Sequence, residues 1–333
     1  MNESAPDIRL TLAINDSDQV RDLATGRIPV DGLRLTCLLL PVEEIFFRFT
    51  KFREWDVSEM SLGKYCSLRG RGDDSLVGIP VFPSRSFRHS GIFIRKDGPV
   101  DDPGALRGKR IGIPEWTVTA TVYQRALLDH EYGVDPGSVD WVQGGINEPG
   151  RVETLPVGIP AGVQIRPERD RSLNQMLLDG DLDAVCVPHP PAGFADRSGR
   201  IVQLFSDSAA VEQRYFERTG IFPIMHLAVL RADVHERYPW AAASLLKAFT
   251  LAKDNSLARL SDATAPHFPL PWGPERARAA EATFGPDLWP YGIERNRTTL
   301  DAFLQYAREQ GLTQRLLEVD DLFPPSVRET YVV

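Results

Sequence analysis

Short apolar segments alternate with amphipathic segments through most of the sequence, and this rhythm limits the folds that the chain can adopt. Residues 8–14 alternate apolar and polar side chains, which is the period of a strand with one buried face. Residues 33–40 predict a second strand, and residues 42–52 predict a helix with one apolar face. Strands that alternate with helices indicate parallel sheets covered by helices. The further predicted strands cover residues 55–60, 77–82, 91–95, 110–113, 141–142, 183–187 and 225–230, and the further predicted helices cover residues 118–130, 173–178, 240–260, 274–284 and 299–310.

Two connections divide this pattern into two α/β lobes. Residues 84–90 form a polar connector between two strands, and we take this connector as the first crossing between the lobes. A return crossing is predicted near residues 222–226. The first lobe then consists of residues 1–90 plus 226–333, and the second lobe consists of residues 91–225. Each lobe is predicted to hold a mostly parallel sheet flanked by helices, with a ligand cleft between the lobes.

The charge and the cysteine content argue against several classes of protein. Lys and Arg total 38 against 46 Asp and Glu, a net charge of -8, which lacks the positive excess that nucleic-acid binding requires. No segment reaches the roughly 18 consecutive apolar residues of a membrane span, so no membrane partner is expected. The three cysteines (Cys37, Cys66 and Cys186) are far apart, which disfavours a disulfide framework or a cysteine zinc site. The polar N-terminus lacks the pattern of a secretion signal, and we expect a cytoplasmic protein.

The connector concentrates groups that bind anions and move protons. Residues 83–90 read PSRSFRHS, which places Arg85, Arg88 and His89 at the predicted hinge. A guanidinium matches the planar geometry of a carboxylate, and a neighbouring imidazole can transfer a proton near neutral pH. The alternative is that both arginines pair with acidic residues on the surface.

A second candidate site lies at the start of a predicted helix. Residues 114–121 read PEWTVTAT and follow a strand, so the free N–H groups of the helix would face an anion, with Thr117 and Thr119 adding hydroxyl donors. We include Trp116 of the same segment among the expected substrate-binding residues. The alternative is that Thr117 only caps the helix.

Three histidines follow or interrupt strands and could converge on the cleft: His89, His189 and His226. A divalent metal held by these three is possible, but no pair has the spacing of a helical zinc motif, and we favour no metal.

Glu59 and Ser61 end the third predicted strand, where open α/β sheets bind their ligands. Glu59 is therefore a candidate base. It could equally cap the next helix or balance one of the arginines.

Two segments resemble a known fold family. Residues 106–114 (LRGKRIGIP) and 177–184 (LLDGDLDA) are similar to the type II periplasmic binding proteins for nitrate, sulfonates and thiamine precursors. This resemblance implies two lobes and an anionic ligand. One hypothesis is therefore that the chain is a non-catalytic binding protein for a small carboxylate or sulfonate.

Within that fold, the chain resembles the 4,5-dihydroxyphthalate decarboxylase family over nearly its whole length. The resemblance rests on residues 56–61, 78–90, 112–115 with the following threonines, 141–145, 289–292 and 296–297. It implies a lyase that uses no organic cofactor and acts on a small anionic aromatic substrate, and we expect a homo-oligomer. A metal-assisted decarboxylase that uses the three histidines is the second alternative.

The implied reaction requires both a base and an acid. Removing the proton of the hydroxyl para to the carboxylate makes the ring carbon basic, that carbon takes a proton, and CO2 then leaves. Arg85 and Arg88 would bind the carboxylates, assisted by Thr117 and Thr119. The expected proton donor is His89, and the base is Glu59 or His226. The remaining expected substrate-binding residues are Ser61, Trp116 and His189.

Overall fold

The computed structural model describes residues 8–328 and contains two β-sheets. The strands of the first sheet are β1 (Ile8–Ile14), β2 (Leu33–Leu39), β3 (Val57–Ser61), β4 (Leu76–Arg85) and β11 (Ile224–Arg231). Their spatial order is β2-β1-β3-β11-β4. Strand β1 is parallel to β2 and β3, whereas β11 lies antiparallel between β3 and β4.

The second sheet has six strands. They are β5 (Ile92–Arg95), β6 (Arg110–Ile113), β7 (Asp140–Gln143), β8 (Gln164–Pro167), β9 (Ala184–Cys186) and β10 (Ile201–Gln203). Their spatial order is β10-β5-β9-β6-β7-β8, and the four strands from β9 to β8 are parallel. The predicted α/β class with two mostly parallel sheets is confirmed.

Helices connect the strands and cover both sheets. They are α1 (Asp18–Ala24), α2 (Val42–Phe52), α3 (Leu62–Arg69), α4 (Thr119–Tyr132), α5 (Leu173–Asp179), α6 (Ala192–Ala195), α7 (Ser208–Thr219), α8 (Ala232–Arg237), α9 (Ala241–Ser261), α10 (Gly273–Phe284) and α11 (Arg297–Glu309). Helix α2 has the predicted bounds, and α4 ends as expected at Gly133, whose φ of 64° is the left-handed conformation that glycine adopts without strain. Within residues 8–328, no helix combines the length and apolar character of a membrane span.

Strand β4 is longer than its apolar pattern predicts. The predicted strand ends at residue 82, but the observed strand continues through Pro83 to Arg85. Proline lacks an N–H, yet β4 lies at the edge of the first sheet, where a missing donor on the outer side costs no ladder hydrogen bond. The connector of residues 84–90 therefore begins inside a strand. This placement directs Arg85 away from the cleft.

The core explains why the central strand of the second sheet is continuously apolar. Ala184 and Cys186 of β9 pack into the larger hydrophobic core, while Val185 packs into a second cluster with Phe93 and Leu173. A parallel strand covered on both faces has no polar side.

The chain passes between the two sheets in the regions where the crossings are predicted. The first sheet uses residues up to 85 and from 224 onward, and the second sheet uses residues 92–203. The domain boundaries at residues 90/91 and 225/226 stay a prediction. Residues 1–7 and 329–333 of the predicted first lobe lie outside the described residues.

Candidate active site

A cavity of about 440 Å³ lies between the two lobes, next to the carboxyl end of β3. The wall residues on the side of the first sheet are Val42, Glu43, Phe46, Phe47, Ser61, Lys64, Arg88, Met225 of β11 and His226. The second-lobe residues are Glu115, Val118, Thr119, Ala120, Gly150, Arg151, Val152, Thr154, Pro188 and His189. Its size and its mixture of apolar and charged side chains suit a small organic anion.

A carboxylate and an imidazole form a pair at this wall. His226 Nδ1 lies 2.6 Å from Glu59 Oε1, and the other carboxylate oxygen of Glu59 accepts a hydrogen bond of 2.9 Å from the backbone N–H of Asn15. Glu59 is only 2% exposed, whereas His226 faces the cavity. The carboxylate is thus held by the backbone and in turn orients the imidazole through Nδ1.

Strand pairing brings these two residues together. His226 of β11 lies opposite Ser61 of β3, and Glu59 lies two residues earlier on the same strand as Ser61. The pairing of β11 with β4 is irregular on both sides of His226. Such a bulge turns a side chain away from the direction that regular alternation would give it. Phe46 packs edge-on against the imidazole with the ring centres 4.8 Å apart, which further restricts its orientation.

A buried ion-pair network forms a second part of the wall. Lys64 Nζ lies 3.2 Å from Glu115 Oε2, and the Arg151 guanidinium donates to Glu115 Oε1 through Nε and Nη2 at 3.0 and 2.8 Å. The hydroxyl of Thr154 donates to Glu115 Oε2 at 2.8 Å. Burial alone would raise the pKa of Glu115, but the charges of Lys64 and Arg151 outweigh it, so the pKa of this carboxyl lies below its ordinary value.

The start of α4 opens onto the same cavity. The residue before the helix, Val118, provides no side-chain cap, and Val118, Thr119 and Ala120 all line the cavity. The first N–H groups of a helix have no acceptor within the helix, which makes them donors for an anion. Thr119 Oγ1 lies 2.8 Å from Ser61 Oγ and accepts a hydrogen bond from the Gly63 N–H at 2.9 Å. A side chain at Gly63 would collide with the Thr117 carbonyl oxygen, 2.5 Å from an ideal Cβ, so glycine permits this approach of the two lobes.

Arg88 joins the lobes at another side of the cavity. Its Nη1 donates to the Pro188 carbonyl oxygen at 2.9 Å, and its Nε lies 2.9 Å from the sulfur of Met225. Burial lowers the pKa of Arg88 to about 10, and the Glu212 carboxylate acts in the opposite direction. The guanidinium therefore remains charged at neutral pH. His189, next to Pro188, is exposed and also lines the cavity.

The structure does not place His89 in the cavity. The residue is 2% exposed, and its ring packs edge-on between Phe205 and Tyr215, with ring centres 5.2 Å from each. Its Nδ1 has no hydrogen-bond partner within residues 8–328 and lies 3.9 Å from Glu212. Burial lowers the pKa of His89 to about 4, and Arg218 acts in the same direction. A neutral imidazole enclosed by aromatic rings cannot deliver a proton to a ligand in the cleft, so we correct the expected role of His89 as proton donor.

Arg85 also lies outside the cavity. Its Nη1 donates to the Phe222 carbonyl oxygen at 3.0 Å, and its Nη2 donates to the Pro290 carbonyl oxygen at 2.8 Å and to the Asn296 side chain. The guanidinium is buried and occupied by these acceptors, so Arg85 connects β4 to the C-terminal part of the chain instead of binding a carboxylate.

Thr117 and Trp116 face the interior instead of the cleft. The Thr117 hydroxyl and the Trp116 backbone N–H both donate to the Glu153 carboxylate. The Trp116 indole donates to the Gln310 carbonyl oxygen at 2.8 Å, and the Arg125 guanidinium lies 3.7 Å from the centre of its ring system. The internal Glu153 carboxylate thus accepts the hydrogen bonds that the sequence pattern predicts for a ligand.

The three histidines weighed as a metal site are not assembled. His189 and His226 line the cavity, but His89 does not. Among residues 8–328 there is no group of three His, Cys, Asp or Glu side chains with the arrangement that a metal ion needs.

Sequence reasoning missed Lys64 and Arg151 and did not assign a role to Glu115. Lys64 follows Ser61 by one helical turn, so the end of β3 was the signal that could have identified it. Arg151 and Thr154 lie in the long irregular segment between β7 and β8, residues 144–163. Segments of this length without regular structure often carry binding residues.

Curated proteins and solved structures resemble the chain. The chain is 36% identical over 327 residues to the 4,5-dihydroxyphthalate decarboxylase of Comamonas testosteroni, covering 98% of this chain and 99% of that protein. It is 37% identical over 202 residues to the 4,5-dihydroxyphthalate decarboxylase of Pseudomonas putida, covering 60% of this chain and 78% of that protein. No protein-family model matches the chain. The periplasmic aliphatic sulphonate binding protein SsuA of Escherichia coli superposes with a TM-score of 0.52 at 12% identity, covering 98% of this chain and 94% of that one, which confirms the predicted periplasmic-binding-protein fold.

Proposed function

The chain belongs to the 4,5-dihydroxyphthalate decarboxylase family, and on this basis we propose that it is a carboxy-lyase that converts 4,5-dihydroxyphthalate to protocatechuate and CO2. The observation that carries the proposal is the position of His226, held by the buried Glu59 carboxylate, in the wall of a cavity that three cationic side chains also line. A proton-transfer group and several positive charges are what the decarboxylation of a hydroxylated diacid requires.

The cationic side chains account for binding of the substrate. The two neighbouring carboxylates of the substrate carry two negative charges. On the cavity wall, the three cationic residues Lys64, Arg88 and Arg151 outnumber the two acidic residues Glu43 and Glu115. The N–H groups at the start of α4 add neutral donors to these charges. Phe46 and Phe47 of α2 line the same cavity and offer apolar surface to the aromatic ring.

The Glu59–His226 pair accounts for removal of the phenolic proton. With the Nδ1 proton donated to Glu59, the lone pair of His226 lies on Nε2 and can accept a proton from the hydroxyl para to the departing carboxylate. The Glu59 carboxylate then stabilises the imidazolium. Glu59 thus positions and stabilises His226 and does not itself contact the substrate.

The same hydroxyl makes an external electron sink unnecessary. The phenolate pushes electron density to the ring carbon that bears the carboxylate, and this carbon is protonated before CO2 leaves. We therefore propose that the reaction uses no organic cofactor and no metal. Dialysis of active protein against a strong chelator, followed by elemental analysis, is expected to leave turnover unchanged.

The decisive experiment is a product assay with a matched pair of ligands. The purified protein is incubated with 4,5-dihydroxyphthalate and with phthalate, and release of CO2 and protocatechuate is measured. We expect turnover of the first compound and binding without turnover of the second, because phthalate has the carboxylates but not the hydroxyl. Binding of several hydroxylated phthalates and benzoates without any release of CO2 would contradict the proposal and indicate a binding protein, the function of the SsuA fold relative.

A further inference from the structure

The proposed reaction needs a second proton-transfer group, because the hydroxyl that loses a proton and the ring carbon that gains one lie on opposite sides of the ring. An imidazole fixed by Glu59 cannot contact both positions. The described side chains on the cavity wall with a proton on nitrogen are Lys64, Arg88, Arg151, His189 and His226. Both arginines already donate N–H groups to neighbours, Arg88 to the Pro188 carbonyl oxygen and the Met225 sulfur and Arg151 to Glu115, so we assign them to binding and not to proton transfer. His189 lines the cavity but is exposed, and no ion pair within residues 8–328 holds its side chain as one holds Lys64.

We propose that Lys64 is the general acid that protonates the ring carbon from which CO2 departs. This inference rests on the proposed function and adds a catalytic residue to it. The Lys64 side chain is almost completely buried, lines the cavity and is held by an ion pair. It thus combines an ammonium group with a fixed position inside the cleft.

The fold places Lys64 near the part of the cavity wall that contains His226. Strand β3 ends at Ser61 and α3 begins at the next residue, so Lys64 lies in the first turn of this helix. The backbone N–H of Lys64 donates to Ser61 Oγ at 3.5 Å. Ser61 is the strand partner of His226. The acid and the base therefore come from adjacent positions at one end of the first sheet, and a ring bound over Ser61 would lie between them.

The Glu115 network allows Lys64 to lose its charge. Glu115 receives two hydrogen bonds from Arg151 and one from the Thr154 hydroxyl, in addition to its contact with Lys64. When Lys64 becomes a neutral amine, Glu115 still has a cationic partner. The buried Glu115 carboxylate therefore keeps a cationic partner, Arg151, after the proton transfer. A buried carboxylate without such a partner would oppose the transfer.

The proton and electron balance of the step is complete without a further reactant. His226 first takes the phenolic proton. The oxygen electron pair then enters the ring, the C–O bond becomes C=O, and a C–H bond forms at the carboxylated carbon as an N–H bond of Lys64 breaks. The bond to the carboxylate next breaks, CO2 leaves, and its electron pair restores the aromatic ring and the phenolate. His226 returns its proton to this oxygen, and Lys64 is reprotonated from water, so each turnover consumes one proton from solvent.

The test separates the charge of Lys64 from its ability to give up a proton. Lys64→Arg retains the positive charge but not a transferable proton. We expect Lys64→Arg to bind 4,5-dihydroxyphthalate nearly as tightly as the wild type and to lose turnover by about 10²- to 10⁴-fold. Lys247→Arg is the matched control, because Lys247 is exposed and pairs with Asp31 outside the cleft, and its turnover is expected to equal that of the wild type.

A second measurement uses chemical rescue. We expect Lys64→Ala to regain part of its turnover when ethylamine is added and to gain nothing from guanidine, since only the amine supplies a transferable proton. Turnover by Lys64→Arg at the wild-type rate, or equal effects of ethylamine and guanidine on Lys64→Ala, would overturn the assignment of Lys64 while the decarboxylase function stands. A wild-type protein that releases no CO2 would instead reject both the proposed function and this role.

Discussion

The connector of residues 84–90 is rich in reactive side chains but contributes little to the cavity. The paired strands β3 and β11 show no such cluster in the sequence but contribute more. The connector holds two arginines and a histidine within a few residues, yet the fold directs only Arg88 into the cavity. Glu59 and His226 are 167 positions apart, yet they make a contact of 2.6 Å at the cavity wall. A local concentration of reactive side chains is thus a weaker indicator of a site than the convergence of strand ends.

The two histidines show the physical basis of this contrast. His89 is enclosed by aromatic rings and gains no partner for Nδ1, so burial lowers its pKa to about 4. His226 is partly exposed to the cavity and has a carboxylate on Nδ1. The first environment encloses a neutral imidazole, whereas the second holds an imidazole by one nitrogen at the cavity, which is the arrangement that the proposed base requires.

The largest expected effect is on turnover after identical substitutions of the two histidines. We expect His226→Gln to lower kcat for 4,5-dihydroxyphthalate by about 10²- to 10⁴-fold, because it removes the proton acceptor. His89→Gln is the matched control and is expected to retain turnover close to the wild type. Steady-state kinetics and ligand binding on both variants test this prediction. An equal loss of kcat in His89→Gln would show that the two histidines do not differ in their importance for turnover.

A smaller effect is expected from the two arginines of the connector. We expect Arg88→Met to weaken substrate binding by about 10- to 100-fold, the loss of a charge-assisted contact of roughly 1.5–3 kcal/mol. Arg85→Met is expected to leave binding unchanged and to lower the free energy of unfolding, because the Phe222 and Pro290 carbonyl oxygens lose their donor. Calorimetric titration measures the binding and denaturant unfolding measures the stability. Weaker binding in Arg85→Met would indicate that Arg85 binds the substrate after all.

The smallest expected effect is on the pH dependence of stability and concerns His89 alone. The pKa of His89 is about 4 in the folded protein against an ordinary value of 6.5, so the unfolded chain binds more protons between these two values. The contribution of His89 to stability is therefore complete above pH 6.5 and is lost as the pH falls toward 4. From pH 7 to pH 5 we expect the wild type to lose about 2 kcal/mol more than His89→Phe.

Denaturant unfolding of both proteins at the two pH values measures this difference. Equal losses in the two proteins would show that His89 titrates near its ordinary pKa. Such a result would be incompatible with the burial of His89 between Phe205 and Tyr215.

Most of the fold follows from local patterns in the sequence. The apolar periodicity predicted α2, α4 and most strands within a few residues, because a buried face must recur with the period of its helix or strand. Helix α3 was missed because seven of its eight residues are buried, so it shows no polar face, and β8 was missed because it is largely exposed and shows no apolar face. The extension of β4 through Pro83 depended on its place at a sheet edge, which no local pattern encodes.

The sequence by itself determined the α/β alternation, the family, and the residue types that could bind an anion or transfer a proton. Only the tertiary structure decided which of them share the cleft: it joined Glu59 to His226, added Lys64 and Arg151, and buried His89 and Arg85 elsewhere. The physical reason is that periodicity depends on neighbours along the chain. The direction, partner and pKa of a side chain depend instead on strand order, sheet edges and local bulges, which arise from contacts between distant parts of the sequence.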